Sequence, residues 1–262
     1  MIELNKIYNE DCLEGMKRIP DKSIDLTVTS PPYDNLRTYN GNNELWNEDV
    51  WKSVIEELYR VTAEGGVVVW VAGDATIKGS ETGTSFRQAL YAKDAGFNIH
   101  DTMIYEKVGM SFPDSNRYYQ TFEYMFIFSK GTPKTFNAIK DRKNVSAGRT
   151  ISGKDRNKDG TFKERSGFGN VIKDFGTRFN VWKIPNQKRG TGHPAPFPIE
   201  LVLDHIASWS EEKDVVFDPF IGSGTTAIAA LNTGRKFIGF ELDETYFNLA
   251  NERIRRNKHG NQ

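Results

Sequence analysis

The sequence contains few of the features that mark secreted, membrane-spanning or metal-binding proteins. Cys12 is the only cysteine among 262 residues, so the chain forms no internal disulfide and a zinc site built on several thiolates is excluded. No apolar run reaches the 18 residues that suggest a membrane span, and the N-terminus does not follow basic residues with an apolar stretch as a signal peptide does. We therefore expect a soluble, cytoplasmic protein without a membrane or metal partner.

An excess of charge of either sign is also missing, but the charges are unevenly distributed. The chain carries 35 basic and 35 acidic residues, which gives a formal net charge of zero. Residues 140–189 hold 14 Lys or Arg and 5 Asp or Glu, a local charge of +9. Such an asymmetry indicates a polyanion-binding segment on an otherwise acidic body.

Apolar runs alternate with helical periodicities over most of the chain. Continuous apolar runs such as Ile24–Val28 and Val67–Val71 resemble buried strands, and the apolar residues between them recur at helical spacing. This alternation predicts an α/β fold with a buried, mostly parallel sheet. The pattern fails between Thr132 and Gly192, where glycine, lysine, arginine and asparagine dominate. There we expect an inserted region of loops and short strands, either a solvated excursion or a DNA-contacting module.

A rigid polar corner follows the first buried strand, at Ser30-Pro31-Pro32-Tyr33. The two prolines lack a backbone N–H and hold the chain extended, so the strand tip offers a hydroxyl, outward carbonyls and an aromatic face. Such a corner suits a planar molecule that carries an exocyclic amine, because the oxygens accept amino hydrogens while the ring stacks on tyrosine. An ordinary Pro-Pro turn is the structural alternative.

A glycine-rich turn follows a later strand, at Asp218-Pro219-Phe220-Ile221-Gly222-Ser223-Gly224-Thr225-Thr226. The segment Gly222–Ala227 fits the G-x-G-x-x-G/A dinucleotide fingerprint, and Glu241 at the end of the next strand can hold ribose hydroxyls. This pattern permits an NAD-dependent oxidoreductase. S-adenosylmethionine accounts for more of the chain, because its methyl group must face a nucleophile such as an amine at the Ser30 corner.

Four motifs in this order resemble the amino-directed DNA methyltransferases of the β class. They are Lys6–Cys12, Ser30–Tyr33, His193–Pro198 and Asp218–Arg253. The resemblance implies a Rossmann-like S-adenosylmethionine-dependent methyltransferase fold with a mostly parallel seven-stranded sheet and a circularly permuted motif order. Residues 1–131 would form the catalytic half, 132–192 a basic target-recognition insert, and 193–262 the cofactor-binding half of the same domain.

The resemblance also assigns roles to individual residues. The catalytic corner would be Ser30, Pro31, Pro32 and Tyr33. S-adenosyl-L-methionine would be bound by Asp11, Cys12, Ser30, His193, Pro194, Ala195, Phe197, Asp218, Phe220, Gly222, Ser223, Gly224, Thr225, Thr226 and Glu241. Double-stranded DNA would be contacted by Arg37, Tyr39, Arg142, Lys143, Arg149, Lys154, Arg156, Arg165, Arg178, Lys188 and Arg189. Dimerisation of several class members implies a homodimer here.

The implied reaction is methyl transfer to the exocyclic amine of a flipped base. Tyr33 would stack on the base, while the Ser30 hydroxyl and the Pro31 carbonyl accept the two amino hydrogens. A serine at the first motif position favours cytosine N4, and adenine N6 is the alternative. An inactive DNA-binding module and the NAD-dependent oxidoreductase stay open as hypotheses of other classes.

Overall fold

The computed structural model describes residues 2–33, 46–108, 115–185 and 198–260. Its strands are β1 (Lys6–Asn9), β2 (Ile24–Thr29), β3 (Thr62–Ala72), β4 (Thr76–Ile77), β5 (Ser80–Glu81), β6 (Asn98–Val108), β7 (Phe122–Ser129), β8 (Arg142–Lys143), β9 (Lys154–Arg156), β10 (Phe162–Glu164), β11 (Phe175–Gly176), β12 (Val181–Pro185), β13 (Val215–Asp218) and β14 (Lys236–Glu241). Its helices are α1 (Cys12–Met16), α2 (Glu48–Val61), α3 (Thr84–Asp94), α4 (Ile199–Trp209), α5 (Thr225–Asn232) and α6 (Glu244–Gly260).

The main sheet has the strand order β1-β14-β13-β2-β3-β7-β6-β12. Strand β7 runs antiparallel to both of its neighbours, and every other adjacent pair is parallel. The predicted α/β class with a mostly parallel sheet is thereby confirmed. Within the described residues no helix is both long and apolar enough to cross a membrane.

The described sheet contains eight strands, one more than the seven expected. The additional strand is β12, which pairs with β6 inside the segment predicted as the insert. Its buried residues Trp182 and Ile184 alternate with exposed neighbours, so one face packs against the core. Five residues of alternating pattern within a basic, glycine-rich segment were too weak a sequence signal to identify this strand.

Two local boundaries differ from the sequence expectation. The pair Gly65-Gly66 was expected to stop helix α2, but the helix ends at Val61 and the glycines lie within β3. Gly65 has a φ of 74°, and its N–H donates to the Lys130 carbonyl at 2.7 Å, so the glycines permit an irregular strand start. Pro198 is the N-cap of α4 rather than its first residue, with an extended ψ of 125°.

The chain divides into two compact units. One contains residues 1–137 and 180–262, and the other is Ala138–Phe179. The smaller unit is held by the two-stranded pairs β8–β11 and β9–β10 and lies within the segment predicted as the insert. Flanking residues join the larger unit: the Asn137 N–H donates to the Ser208 carbonyl at 2.8 Å.

Candidate active site

The two motifs at opposite ends of the sequence follow neighbouring strands. Strands β2 and β13 are parallel, with Leu26 opposite Val216 and Thr27 opposite Phe217. Because parallel neighbours end at the same edge of a sheet, the Ser30 corner and the turn after Asp218 emerge side by side. The structure therefore brings together two motifs from distant parts of the sequence.

A buried carboxylate connects these two motifs directly. Asp218 accepts hydrogen bonds from the Thr29 hydroxyl at 2.7 Å, from the Thr226 hydroxyl at 2.7 Å and from the Phe220 N–H at 3.1 Å. Burial raises the pKa of Asp218 to about 6, although all three hydrogen bonds act in the opposite direction. Thr29 was not singled out from the sequence, since nothing local distinguishes it from any polar residue at a strand tip.

Replacing Thr226 with valine tests this connection. The change removes one donor to a buried carboxylate, and we expect it to lower the free energy of unfolding by about 1–3 kcal/mol in a urea titration. The decrease should be larger at about pH 7.5 than at about pH 5, because the missing bond stabilises the ionised form of Asp218. Thr233→Val is the matched control, since the Thr233 hydroxyl donates to carbonyls of its own helix. Equal decreases in both variants would contradict the proposed connection.

The corner after β2 has an ordered hydrogen-bond direction. The Ser30 hydroxyl donates to Tyr33 Oη at 3.0 Å, and Tyr33 Oη is 3.5 Å from the Val71 carbonyl. The Ser30 lone pairs are thus oriented away from its own donated proton and remain acceptors. Tyr33 is only 8% exposed, so its ring is less open than the outward aromatic face expected from the sequence. Its inward-directed hydroxyl explains this burial.

The glycine turn adopts backbone conformations that favour glycine. Gly222 has a φ of 50° and Gly224 a φ of 81°. Gly224 is the N-cap of α5, and a Cβ added there would come within 3.0 Å of Ala250 Cβ. The turn therefore needs glycine at this position for two reasons, its left-handed backbone and its close packing on α6.

Glu241 closes the other side of the turn. One of its carboxylate oxygens accepts the Gly222 N–H at 2.9 Å, and the other accepts the Asp243 N–H at 2.9 Å. Burial raises the pKa of Glu241 to about 7. Since a carboxylate accepts about four hydrogen bonds, capacity remains for two ligand hydroxyls.

Two further residues complete this edge of the sheet and were missed in the sequence. Arg253 of α6 donates to the Ser223 carbonyl and, at 2.7 Å, to its hydroxyl, and so fixes the turn. Burial lowers the pKa of Arg253. Trp46 packs edge-on against Phe220 with ring centroids 5.2 Å apart, and its buried indole Nε1 has no hydrogen-bond partner among the described residues. Arg253 was hidden by an apolar helix stripe, and Trp46 lies outside the motifs.

The predicted adenine-binding residues follow β1, the neighbour of β14. The Asp11 carboxylate caps α1 by accepting the Leu13 N–H at 2.8 Å and the Glu14 N–H at 3.3 Å. Cys12 is buried in the hydrophobic core, and burial raises its thiol pKa. Asn9 joins this segment to β14, because its amide donates to the Glu241 carbonyl at 2.8 Å. The roles of Asp11 and Cys12 in cofactor binding stay predictions.

Several predicted site residues lie outside the described part of the chain. They are His193, Pro194, Ala195 and Phe197 of the predicted cofactor wall, and Arg37, Tyr39, Lys188 and Arg189 of the predicted DNA surface.

Within the unit Ala138–Phe179, the predicted DNA-contacting cations divide into two groups. Arg165 pairs with Asp155 at 3.1 Å, Arg178 with Asp141 at 2.5 Å, and Arg142 donates to the Thr177 carbonyl at 2.9 Å. These three arginines stabilise the fold of the unit. The others are exposed and form no ion pair with a described residue: Lys143, Arg149, Lys154 and Arg156.

Comparison with known proteins identifies the family. The model of the N6/N4 DNA methylase family matches residues 24–252. The chain belongs to this family. The methylase is 58% identical over 248 residues to the orphan methyltransferase M.BamHII of Bacillus amyloliquefaciens, a match that covers 91% of both chains. It is 28% identical over 259 residues to the DNA adenine methyltransferase YhdJ of Escherichia coli K12, covering 96% of this chain and 83% of YhdJ.

Solved structures share the fold of the methylase. The cytosine-N4-specific PvuII DNA methyltransferase aligns with a TM-score of 0.70 at 23% identity, covering 95% of this chain and 86% of that one. The DNA modification methylase TTHA0409 from Thermus thermophilus, solved with S-adenosyl-L-methionine, aligns with a TM-score of 0.66 at 24% identity, covering 96% and 93%. The predicted methyltransferase fold and the predicted family are confirmed.

Proposed function

We propose that this methylase transfers a methyl group from S-adenosylmethionine to the exocyclic amine of a base flipped out of double-stranded DNA, and that the base is cytosine, methylated at N4. The observation that carries the proposal is the Thr29–Asp218–Thr226 hydrogen-bond link. It holds a corner suited to an amine beside a turn suited to a nucleoside ligand.

The residues of the glycine turn fit S-adenosylmethionine. Glu241 has free acceptor capacity for ribose hydroxyls, and the backbone at Gly222 and Gly224 permits close approach. Trp46 Nε1, which finds no acceptor in the described part of the chain, is a buried donor beside Phe220, and such groups are rare in proteins unless a ligand or water satisfies them. The bound cofactor would supply an electrophilic methyl group on a positively charged sulfur.

The corner supplies acceptors for an amine. A base amine is a weak nucleophile because its lone pair is delocalised into the ring. The Ser30 hydroxyl, which donates to Tyr33, is free to accept one amino hydrogen, and the Pro31 carbonyl would accept the other. Two acceptors so placed favour a pyramidal nitrogen whose lone pair points outward. Orientation of this kind can lower a barrier by up to about 7–11 kcal/mol.

The direct test of the activity is transfer of a labelled methyl group from S-adenosylmethionine to duplex DNA. We expect incorporation that requires the cofactor and saturates with it, while NAD does not compete. Competition by NAD, or binding of DNA with no transfer, would instead support the oxidoreductase or the inactive DNA-binding module. Adenine N6 is the second candidate acceptor, since Ser30 can accept a hydrogen from either amine.

The raised pKa of Glu241 predicts a pH dependence of cofactor binding. The carboxylate must ionise to accept two ribose hydroxyls, so affinity should increase as pH rises through about 7. We expect the dissociation constant for S-adenosylmethionine to fall about 5- to 10-fold between about pH 6 and pH 8, measured by calorimetry. Glu241→Gln should bind more weakly and lose this dependence. The same slope in the variant would assign the effect to the cofactor's own amine.

The exposed cations of the smaller unit predict a salt-dependent contribution to DNA binding. Replacing Lys143, Arg149, Lys154 and Arg156 with glutamine should weaken DNA binding and reduce the slope of log affinity against log salt by about 0.9 for each phosphate that is no longer neutralised. Cofactor affinity should stay unchanged. A control variant, Lys17→Gln with Lys22→Gln, removes two exposed cations of the larger unit and should leave the slope intact. An unchanged slope in the fourfold variant would exclude these cations from the DNA surface.

A further inference from the structure

We propose that Lys107, held by Glu123, reads the ring edge of the target base beside the Ser30 corner. The inference rests on the proposed function and identifies the residue that would help select cytosine. It follows from three features of the sheet edge: an unexplained glycine after β3, a largely buried ion pair across β6 and β7, and the position of both next to Tyr33.

Gly73, the residue after β3, is not required by the backbone. Its φ is outside the left-handed region. Among the described residues, an added Cβ would meet only Glu123 Cγ at 3.6 Å and Tyr33 Cε2 at 3.8 Å, both ordinary contact distances. Tyr33 and Glu123 thus flank the same position. A glycine here keeps the space between them free of a side chain.

Glu123 and Lys107 form an ion pair across β7 and β6. Their side chains are 10% and 28% exposed, so both charges are largely withdrawn from water. Glu123 lies opposite Tyr105 in the sheet register, and Lys107 is two residues further along β6, so both side chains project from the same face. Burying an ion pair contributes little net stability, which makes a role in recognition the better explanation.

The chemistry of the pair suits a pyrimidine ring. A lysine ammonium has three donors, and Glu123 uses one. Cytosine presents two acceptors next to its amine-bearing carbon, ring N3 and carbonyl O2, to which the remaining donors can bind. Glu123 is a positioning residue, since it fixes the direction of the ammonium. The Tyr33 ring, the Ser30 hydroxyl and the Lys107 ammonium would then contact three different parts of one base.

The chain provides a matched control pair. Lys183 of β12 pairs with Glu106 of β6 at 2.7 Å, and Glu106 precedes Lys107, so this second pair lies on the opposite face of the same strand. It is also more exposed, with side chains 65% and 38% accessible. Lys107→Met and Lys183→Met therefore remove the same charge from opposite faces of the sheet, only one of which carries the Tyr33 corner.

The test measures DNA binding with and without the target base. Two duplexes are compared in the presence of S-adenosylhomocysteine, one with the target cytosine and one with an abasic site at that position. Lys107→Met should weaken binding to the intact duplex about 10- to 100-fold, but leave binding to the abasic duplex and the affinity for S-adenosylhomocysteine within about twofold. Lys183→Met should bind all three like the wild type.

Two results would overturn the inference. Equal weakening on both duplexes would place Lys107 on a phosphate or in the fold, and no weakening on either would remove it from the site. Neither result affects the proposed function, which fails only if the wild-type protein transfers no methyl group to DNA. Gly73→Val supplies a second measurement: filling the space should lower turnover at least about tenfold with cofactor affinity unchanged, and wild-type turnover in this variant also contradicts the inference.

Discussion

Tyr33→Ala is expected to lower turnover by about 100- to 1000-fold while changing the dissociation constant of S-adenosylmethionine less than about threefold. Two contributions add in the lost turnover. Stacking on the base contributes roughly 1–3 kcal/mol. The variant also removes the acceptor that orients the Ser30 hydroxyl, 3.0 Å away. The hydrogen bonds described for Tyr33 connect it to Ser30 and Val71 rather than to the glycine turn, so the cofactor should bind normally.

Tyr33→Phe separates these two contributions. The phenylalanine keeps the ring and its contact beside Gly73 but has no hydroxyl to accept from Ser30 or approach Val71. We expect about a tenfold decrease in turnover, the size of one misdirected hydrogen bond. Single-turnover rates and equilibrium cofactor titrations should be measured for both variants. Parallel decreases in turnover and cofactor affinity would contradict the assignment of Tyr33 to the base.

Gly224→Val should have the opposite signature and remove cofactor binding. A branched side chain in the left-handed conformation is strained by about 1–3 kcal/mol. Its Cβ would also come within 3.0 Å of Ala250 Cβ. The turn must shift to relieve this contact, and the Gly222 N–H then loses its alignment with Glu241. We expect at least about 100-fold weaker binding of S-adenosylmethionine and a decrease of about 2–4 kcal/mol in unfolding free energy.

Gly83→Val is the control for this prediction. Gly83 is also an N-cap in the left-handed region, with a φ of 65°, but no described atom lies within 4 Å of an added Cβ. It therefore reports the backbone strain without the crowding, and we expect a smaller decrease in stability with normal cofactor binding. Similar cofactor affinities in the two valine variants would show that the packing of the turn on α6 does not shape the site.

The sequence predicted the elements of the site better than their mutual contacts. Proline chemistry identified the Ser30 corner, and glycine spacing identified the turn at Gly222, because both signals are local. The bond from Thr29 to Asp218 could not be predicted, since it joins residues 189 positions apart whose strands become neighbours only in the sheet. Strand pairing is a property of the whole sheet, which no local pattern specifies.

Burial and pairing were the other limits of sequence interpretation. The ring of Tyr33 was expected to face outward, whereas its hydroxyl is directed towards Ser30 and Val71 and the ring is buried. Basic residues of the insert looked equivalent in the sequence, but Arg165 and Arg178 are paired with aspartates of their own unit. Whether a cation is available to a ligand depends on tertiary neighbours, which composition does not reveal.

The most direct measurement identifies the methylated nucleoside. Duplex DNA is incubated with the wild-type protein and methyl-labelled S-adenosylmethionine, digested to nucleosides and separated by mass spectrometry, with Tyr33→Ala and Gly224→Val in parallel. We predict label in N4-methylcytosine with the wild type and at least about 100-fold less with either variant. Label in N6-methyladenine would move the assignment to the second base. Label at a ring carbon, as in 5-methylcytosine, or in no nucleoside would contradict the account of an amine held between the Ser30 corner and the glycine turn.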